Sequence, residues 1–157
     1  FSDVELEPQL QPLEGEVFEY RSAVVADDAR SDVRVRGFWG NWRNALFDFA
    51  VFYPFASSYF SKSLASTYRA RSRAKKREYG ERANEVEDSS FTPMVMSSAG
   101  GMGGEMEQAV KFLAARIADQ EGVAYSQAVG VLRARFSFVA ARKSYHSCLL
   151  EGFEGAF

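Results

Sequence analysis

Two acidic residues stand in segments that otherwise have the pattern of buried strands. Asp48 lies within residues 46–52, in which every residue except Asp48 is apolar. An unpaired carboxylate there would be very unfavourable. Asp32 precedes Val33 and Val35, which alternate with charged residues at the two-residue period of a strand. If the two strands pair as a hairpin, both carboxylates converge at one end of the sheet.

Such a pair of carboxylates predicts a magnesium site, because Mg²⁺ usually takes one or two carboxylates and keeps several waters. A lysine nearby would orient or deprotonate the attacking water. The alternative is structural: Asp48 caps a turn or pairs with an arginine, Arg34 or Arg36. The residues alone leave both interpretations open.

The rest of the chain supplies the elements that must position these acids. Alternating or continuous apolar segments bounded by Gly and Pro predict strands, and segments with apolar residues at helical spacing predict helices. The predicted order is strand 31–38, strand 45–52, helix 63–82, strand 90–98, helix 105–120 and helix 125–150. This order indicates an α/β (α+β) fold, a small central mixed β-sheet flanked by helices.

The first 28 residues differ from the rest in charge. They carry eight acids and one base and contain Pro8, Pro12 and Gly15, which predicts an acidic extended lead-in over 1–28. We expect 29–157 to form a single domain, with its core at about 29–104 and helices at about 105–150. The chain length of 157 residues suits one domain.

Composition excludes several classes of protein. A single cysteine excludes an intrachain disulfide scaffold and a multi-cysteine zinc site, and a single histidine excludes a His-rich metal site. No apolar segment approaches the roughly 20 residues that span a bilayer, so we expect no membrane partner. Because the chain begins at Phe1 without a Met or a leader pattern, we expect it to be part of a longer polypeptide.

A basic segment lies in the predicted helix 63–82 and just before it. Residues 62–82 hold eight bases and two acids, an excess that favours binding of a polyanion. Arg69, Arg73, Lys76 and Arg77 follow one another at i, i+4, i+7 and i+8 and therefore share a helix face. We predict that this face binds nucleic-acid phosphates; the alternative is an ordinary solvated helix face.

Three segments together resemble a known family. Ser31-Asp32-Val33, Phe47-Asp48-Phe49 and the helical segment 75–79 (Lys-Lys-Arg-Glu-Tyr) are similar to the restriction-like endonuclease domain of site-specific non-LTR retrotransposons, a member of the PD-(D/E)XK nuclease superfamily. The resemblance covers about 29–104. Segments 37–39, 91–93 and 100–102 also look like domains at the ends of reverse-transcriptase-type open reading frames.

The resemblance implies roles for individual residues. Asp32 and Asp48 would match the two acids of the motif and hold Mg²⁺ or Mn²⁺, and the backbone carbonyl of Phe49 would also face the metal. The superfamily usually has a lysine two positions after the second acid, where this chain has Ala50. In related retrotransposon endonucleases the lysine lies on the next helix, four residues before a tyrosine. Lys75 fits that spacing to Tyr79, and Lys76 is the alternative.

The function that the resemblance implies is a metal-dependent DNA endonuclease with a restriction-endonuclease-like core and a C-terminal helical extension. It would nick DNA and leave a 3′ hydroxyl for a reverse transcriptase elsewhere in a polyprotein, in the nucleus. Ser31 stands where the family often has proline. The alternative is a catalytically inactive nucleic-acid-binding or structural domain of the same fold.

Overall fold

The computed structural model describes residues 3–11, 13–14, 31–40, 43–59 and 61–154, with side chains up to residue 142. The chain forms two compact units. The first unit comprises residues 1–49 and 73–93, and the second comprises residues 50–72 and 94–157. The prediction of a lead-in over 1–28 followed by one domain stays a prediction, and residues 15–30 lie outside the described part.

Four strands form one sheet in the order β1-β2-β3-β4. They are β1 (Val4–Leu6), β2 (Val33–Arg36), β3 (Asn44–Phe52) and β4 (Ser89–Ser97). β1 pairs antiparallel with β2, and β2 pairs antiparallel with β3, which confirms the predicted hairpin. The Ser90 hydroxyl donates to the Asn44 carbonyl and the Ser98 N–H donates to the Phe52 carbonyl, so β4 runs parallel to β3. The prediction of an α/β fold with a small mixed sheet is confirmed.

Three helices follow the predicted order. They are α1 (Leu64–Glu81), α2 (Gly104–Glu121) and α3 (Tyr125–Glu154), and a π-helical turn (Arg82–Val86) follows α1. α1 begins after Ser63, whose hydroxyl accepts the Ser66 N–H, as an N-cap residue does. α2 ends before Gly122, whose positive φ of 67° lets the next N–H, that of Val123, bond the Ala118 carbonyl at 3.2 Å. Across the described residues, no helix has the length and apolar character needed to cross a bilayer.

In the first unit, a small core holds β3 against the end of α1 and the π-helical turn. Leu10, Leu46 and Ala83 are buried together, and Tyr79 and Phe91 pack against them. The early part of β3 is buried at four consecutive positions, 45–48, as the apolar segment predicted. Asp48 is therefore fixed by packing on either side of it along the chain.

In the second unit, the glycine-rich turn after β4 passes close to α1. The Gly103 N–H donates to the Val95 carbonyl at 2.7 Å. The Tyr68 ring packs edge-on against Phe52, with ring centroids 5.1 Å apart. A Cβ at Gly101 would lie 2.3 Å from the Tyr68 hydroxyl oxygen and 3.2 Å from Ser97 Oγ, so only glycine fits there.

Gly101→Ala tests this close approach. We expect the variant to lose roughly 1–3 kcal/mol of unfolding free energy, because the added methyl group forces the half-buried Tyr68 ring to move. Gly130→Ala is the matched control: a Cβ at Gly130, within α3, meets nothing within 4 Å, so the change should be neutral or stabilise by up to about 1 kcal/mol. Urea denaturation measures both. Equal stability of the two variants would contradict the packing around Gly101.

Candidate active site

The two predicted acids lie next to each other at one end of the β2–β3 hairpin. Val33 pairs with Phe47, and the same register continued by one residue sets Asp32 opposite Asp48. Residues directly opposite in an antiparallel pair project to the same face of the sheet. The Phe49 N–H donates to Asp32 Oδ2 at 2.5 Å, which fixes the exposed Asp32 carboxylate beside β3.

Asp48 is a buried carboxylate, with 5% of its surface exposed. Its partner is Lys75 of α1, whose ammonium nitrogen lies 2.8 Å from Asp48 Oδ2. The contact is an ion pair, and Oδ2 forms no hydrogen bond of normal geometry. The arginine alternatives pair elsewhere: Arg34 with Glu5 and Glu87, and Arg36 with Asp3.

The structure distinguishes between the two candidate lysines by position. Lys75 is partly buried and points to Asp48, whereas Lys76 is exposed. The Lys75 ammonium also lies 5.2 Å from the centre of the Tyr79 ring, as the four-residue spacing on one helix face predicts. Tyr79 in turn stacks at a tilt on Phe91, with centroids 5.6 Å apart. Lys75 is thus held between a carboxylate and an aromatic face.

Glu78 is a residue of this site that the sequence analysis did not single out. Its Oε2 lies 3.9 Å from the Lys75 ammonium, so Lys75 is shared between Glu78 and Asp48. The signal was present in the sequence, since residues three apart on a helix are neighbours. Ser31, which stands where the similar family often has proline, is buried, and its hydroxyl donates to the Phe47 carbonyl at 2.7 Å.

The electrostatics of the site favour the neutral form of Asp48. Burial raises the pKa of the Asp48 carboxyl, and the negative charges of Asp32 and Glu78 also raise it, whereas the nearby Lys75 ammonium lowers it. The net result is a pKa above the usual 3.8. Burial and a hydrogen bond to Glu78 likewise raise the pKa of the Tyr79 phenol. Asp48 and Glu78 lie 2.8 Å and 3.9 Å from the Lys75 ammonium, and Asp32 adds a third negative charge that acts on Asp48. The site therefore carries an excess of negative charge.

This donor set suits a hard divalent cation. Asp48 Oδ2 is buried and lies 2.8 Å from the Lys75 ammonium. Asp32 adds a second carboxylate beside it, and Mg²⁺ usually takes one or two carboxylates. Within the described ranges, no group of three or more His, Cys, Asp and Glu side chains is placed to hold a metal ion. Phe49 meets the site through its N–H, and a ligand role for its carbonyl stays a prediction.

The four basic residues predicted to bind phosphates lie on a different side of α1 from Lys75. Arg69, Arg73, Lys76 and Arg77 are all exposed. At 100° per residue, Arg73, Lys76 and Arg77 are turned by about 100–160° from Lys75 around the helix axis. These three therefore cannot contact the same phosphate as Lys75, and phosphate binding by this face would be a separate event from chemistry at Asp48.

Comparison with known proteins identifies no relative: no family model, no curated protein and no solved structure matches this chain. The site is therefore interpreted from its own geometry.

Asp48→Asn tests the cost of burying this charge. The pKa of Asp48 is raised in the folded protein, so the folded state binds the proton more tightly than the unfolded chain does. Ionisation of Asp48 at higher pH therefore lowers the free energy of unfolding. In chelator, we expect Asp48→Asn to be more stable than the wild type at neutral pH. This gain should shrink as the pH falls through the raised pKa towards 3.8.

The measurement is urea denaturation of both proteins from about pH 4 to pH 8. Asp119→Asn is the matched control, because Asp119 is exposed on α2 and the same change there should leave the pH dependence unaltered. A stability difference between wild type and Asp48→Asn that does not vary with pH would contradict the raised pKa.

Proposed function

We propose that this protein is a divalent-metal-dependent DNA endonuclease that hydrolyses a phosphodiester bond at the Asp32–Asp48–Lys75 site. The observation that carries the proposal is the convergence of three groups from separate elements. A buried carboxylate on β3, a carboxylate on the neighbouring chain segment and an ammonium from α1 meet within the first unit. An acid pair with a lysine beside it is the constellation that the resemblance implies.

A purely structural role does not account for all features of this site. A single ion pair between Asp48 and Lys75 would neutralise both groups, but Asp32 and Glu78 add two more negative charges that act on the same carboxylate. Such an arrangement costs stability when no cation is bound. A site that keeps excess negative charge in a partly buried position is typical of one that binds a cation or performs chemistry.

The reaction assigns a task to each group. Asp48 and Asp32 would hold the ion, and when bound there Mg²⁺ supplies Lewis acidity, lowering the pKa of a water and neutralising charge on the phosphate. With the charge of Asp48 shared with the ion, the Lys75 ammonium can turn to the substrate. It would orient the attacking water or donate to a phosphate oxygen on which charge develops. Tyr79 and Glu78 would keep Lys75 in place.

The partner and the setting belong to the same proposal. The exposed bases of α1 would bind DNA phosphates outside the site, which increases affinity without reading sequence. The resemblance supports a retroelement polyprotein as the longer protein, with a reverse transcriptase in another domain and the nucleus as the place of action.

A second candidate function is nucleic-acid binding without catalysis. The observation that favours it is the short Lys75–Asp48 contact of 2.8 Å, which neutralises the oxygen that a metal ion would need. Ala50, which stands where the superfamily usually has a lysine, also favours binding without catalysis. The two candidates differ in metal dependence and in the effect of substituting Asp48.

Asp48→Asn should abolish nicking of a supercoiled plasmid in Mg²⁺ or Mn²⁺. The amide keeps the volume of the side chain and removes the anionic ligand. Loss of a group that only supports a metal ligand reduces activity roughly 10- to 100-fold. We therefore expect loss of the ligand itself to reduce the nicking rate at least about 100-fold. Gel electrophoresis of the nicked form gives the rate, and Asp119→Asn should retain wild-type activity. Nicking that survives in excess chelator, or in Asp48→Asn, would exclude this mechanism.

Lys75→Gln should reduce the nicking rate far more than Lys76→Gln. Loss of a group that transfers or orients a proton in the transition state costs roughly 10²- to 10⁴-fold, whereas Lys76 is exposed and would affect DNA affinity alone. Glutamine keeps a polar end beside Asp48, and circular dichroism of both variants checks that the fold is retained. The reverse order of effects would show that Lys76, and not Lys75, serves the reaction.

A further inference from the structure

The second unit contains a cavity of about 350 Å³ that the proposed chemistry does not use. Its walls come from the segment before α1, the first turn of α1 and the turn after β4, and they include Phe55, Tyr59, Lys62, Thr67 and Ser97. The volume lies in the range of small-molecule sites, about 300–1,000 Å³. The lining is mainly apolar, with a few polar groups at defined places.

One end of the cavity carries positive charge. Lys62 is exposed, and no carboxylate among the described residues pairs with it. Lys62 directly precedes Ser63, the N-cap of α1, and the first turn of α1 contains no acidic residue. The partial positive charge at the start of a helix adds to that of the ammonium. This end of the cavity therefore favours an anion.

The lining of the cavity also includes aromatic rings. Phe55 is 63% exposed and contacts the 60% exposed Tyr53 edge to face, with centroids 5.7 Å apart. Tyr59 is held more rigidly, because its ring packs on Phe52 and its hydroxyl accepts hydrogen bonds from the Arg71 guanidinium. A planar ligand can therefore stack on these rings. The Tyr59 ring loses little conformational entropy when the ligand binds, because its contacts already fix it.

Two hydroxyl groups form polar points on the floor. Thr67 Oγ1 donates to the Ser63 carbonyl, and Ser97 Oγ accepts the Gly101 N–H. Both side chains are almost fully buried, with 3% and 1% exposed, so they close the cavity from within and leave its aromatic and cationic residues to contact a ligand.

We propose that this cavity binds an unpaired nucleotide of single-stranded nucleic acid. The base stacks against Phe55 and Tyr59, and its phosphate lies at Lys62. Stacking on aromatic rings combined with a cation for the backbone is how single strands are bound without a fixed sequence. A base inside a duplex cannot enter, because both of its faces are already stacked.

The choice of a nucleotide as the occupant rests on the proposed nuclease function, but binding does not require cleavage. It extends that function by predicting that the protein prefers DNA with an unpaired segment. A chelated protein, which cannot nick, should still bind a single strand.

The test is fluorescence anisotropy of a labelled thymidine 12-mer and of a matched duplex, in chelator, at several salt concentrations. We expect the single strand to bind more tightly than the duplex. Phe55→Ala should weaken single-strand binding by about fivefold or more, because it removes one stacking ring. Phe138→Ala is the matched control, since Phe138 is 71% exposed on α3 and is outside the cavity.

Lys62→Gln should reduce the slope of log affinity against log salt by about 0.7, the value for one phosphate contact on a single strand. Lys111→Gln, an exposed lysine of α2, is the control of equal charge. Free thymidine monophosphate should compete with the 12-mer.

Equal effects of Phe55→Ala and Phe138→Ala, or tighter binding of the duplex, would overturn the proposal. The proposal would also be overturned if the cavity bound an apolar carboxylate and thymidine monophosphate did not displace it. Because these experiments are done without metal, their failure is distinct from a failure to nick plasmid DNA, and either proposal can fall while the other stands.

Discussion

The buried charge of Asp48 is the constraint on which the first unit depends. A carboxylate that is 5% exposed in the middle of an apolar strand requires a compensating cation, and the chain supplies Lys75 at 2.8 Å. This requirement fixes the rotation of α1 about its axis, because only one helix face can carry the ammonium to β3. It also explains why Tyr79, one turn further on, lies against the same site and packs into the small core with Phe91.

The Lys75 ammonium compensates only part of the negative charge at this site. Burial first, and then the negative charges of Asp32 and Glu78, keep the pKa of Asp48 raised in spite of the Lys75 ammonium. Asp32 is nevertheless held in place by the Phe49 N–H, and Ser31 ties the same segment to the Phe47 carbonyl. The hydrogen bonds therefore hold two like charges side by side. A divalent cation would offset this repulsion, and the proposed metal-dependent reaction depends on that effect.

The sequence predicted most of this arrangement because its signals are local. The apolar segment 46–52 marked β3, the alternation at 33–36 marked β2, and the hairpin follows from their closeness in the chain. The spacing from Lys75 to Tyr79 gave the helix face. By contrast, β1 has three exposed residues among acids and owes its pairing to β2, a contact distant in sequence. The cavity near Lys62 also escaped prediction, because segments about 40 residues apart form its walls.

The proposed mechanism requires that Asp32 and Asp48 together bind a divalent cation. Calorimetric titration with Mn²⁺ measures this binding without DNA or turnover. We expect one or two ions to bind per wild-type protein, little change in Asp119→Asn, and loss of this binding in Asp48→Asn. Equal binding of Mn²⁺ by the wild type and by Asp48→Asn, or no binding by either, would contradict the mechanism.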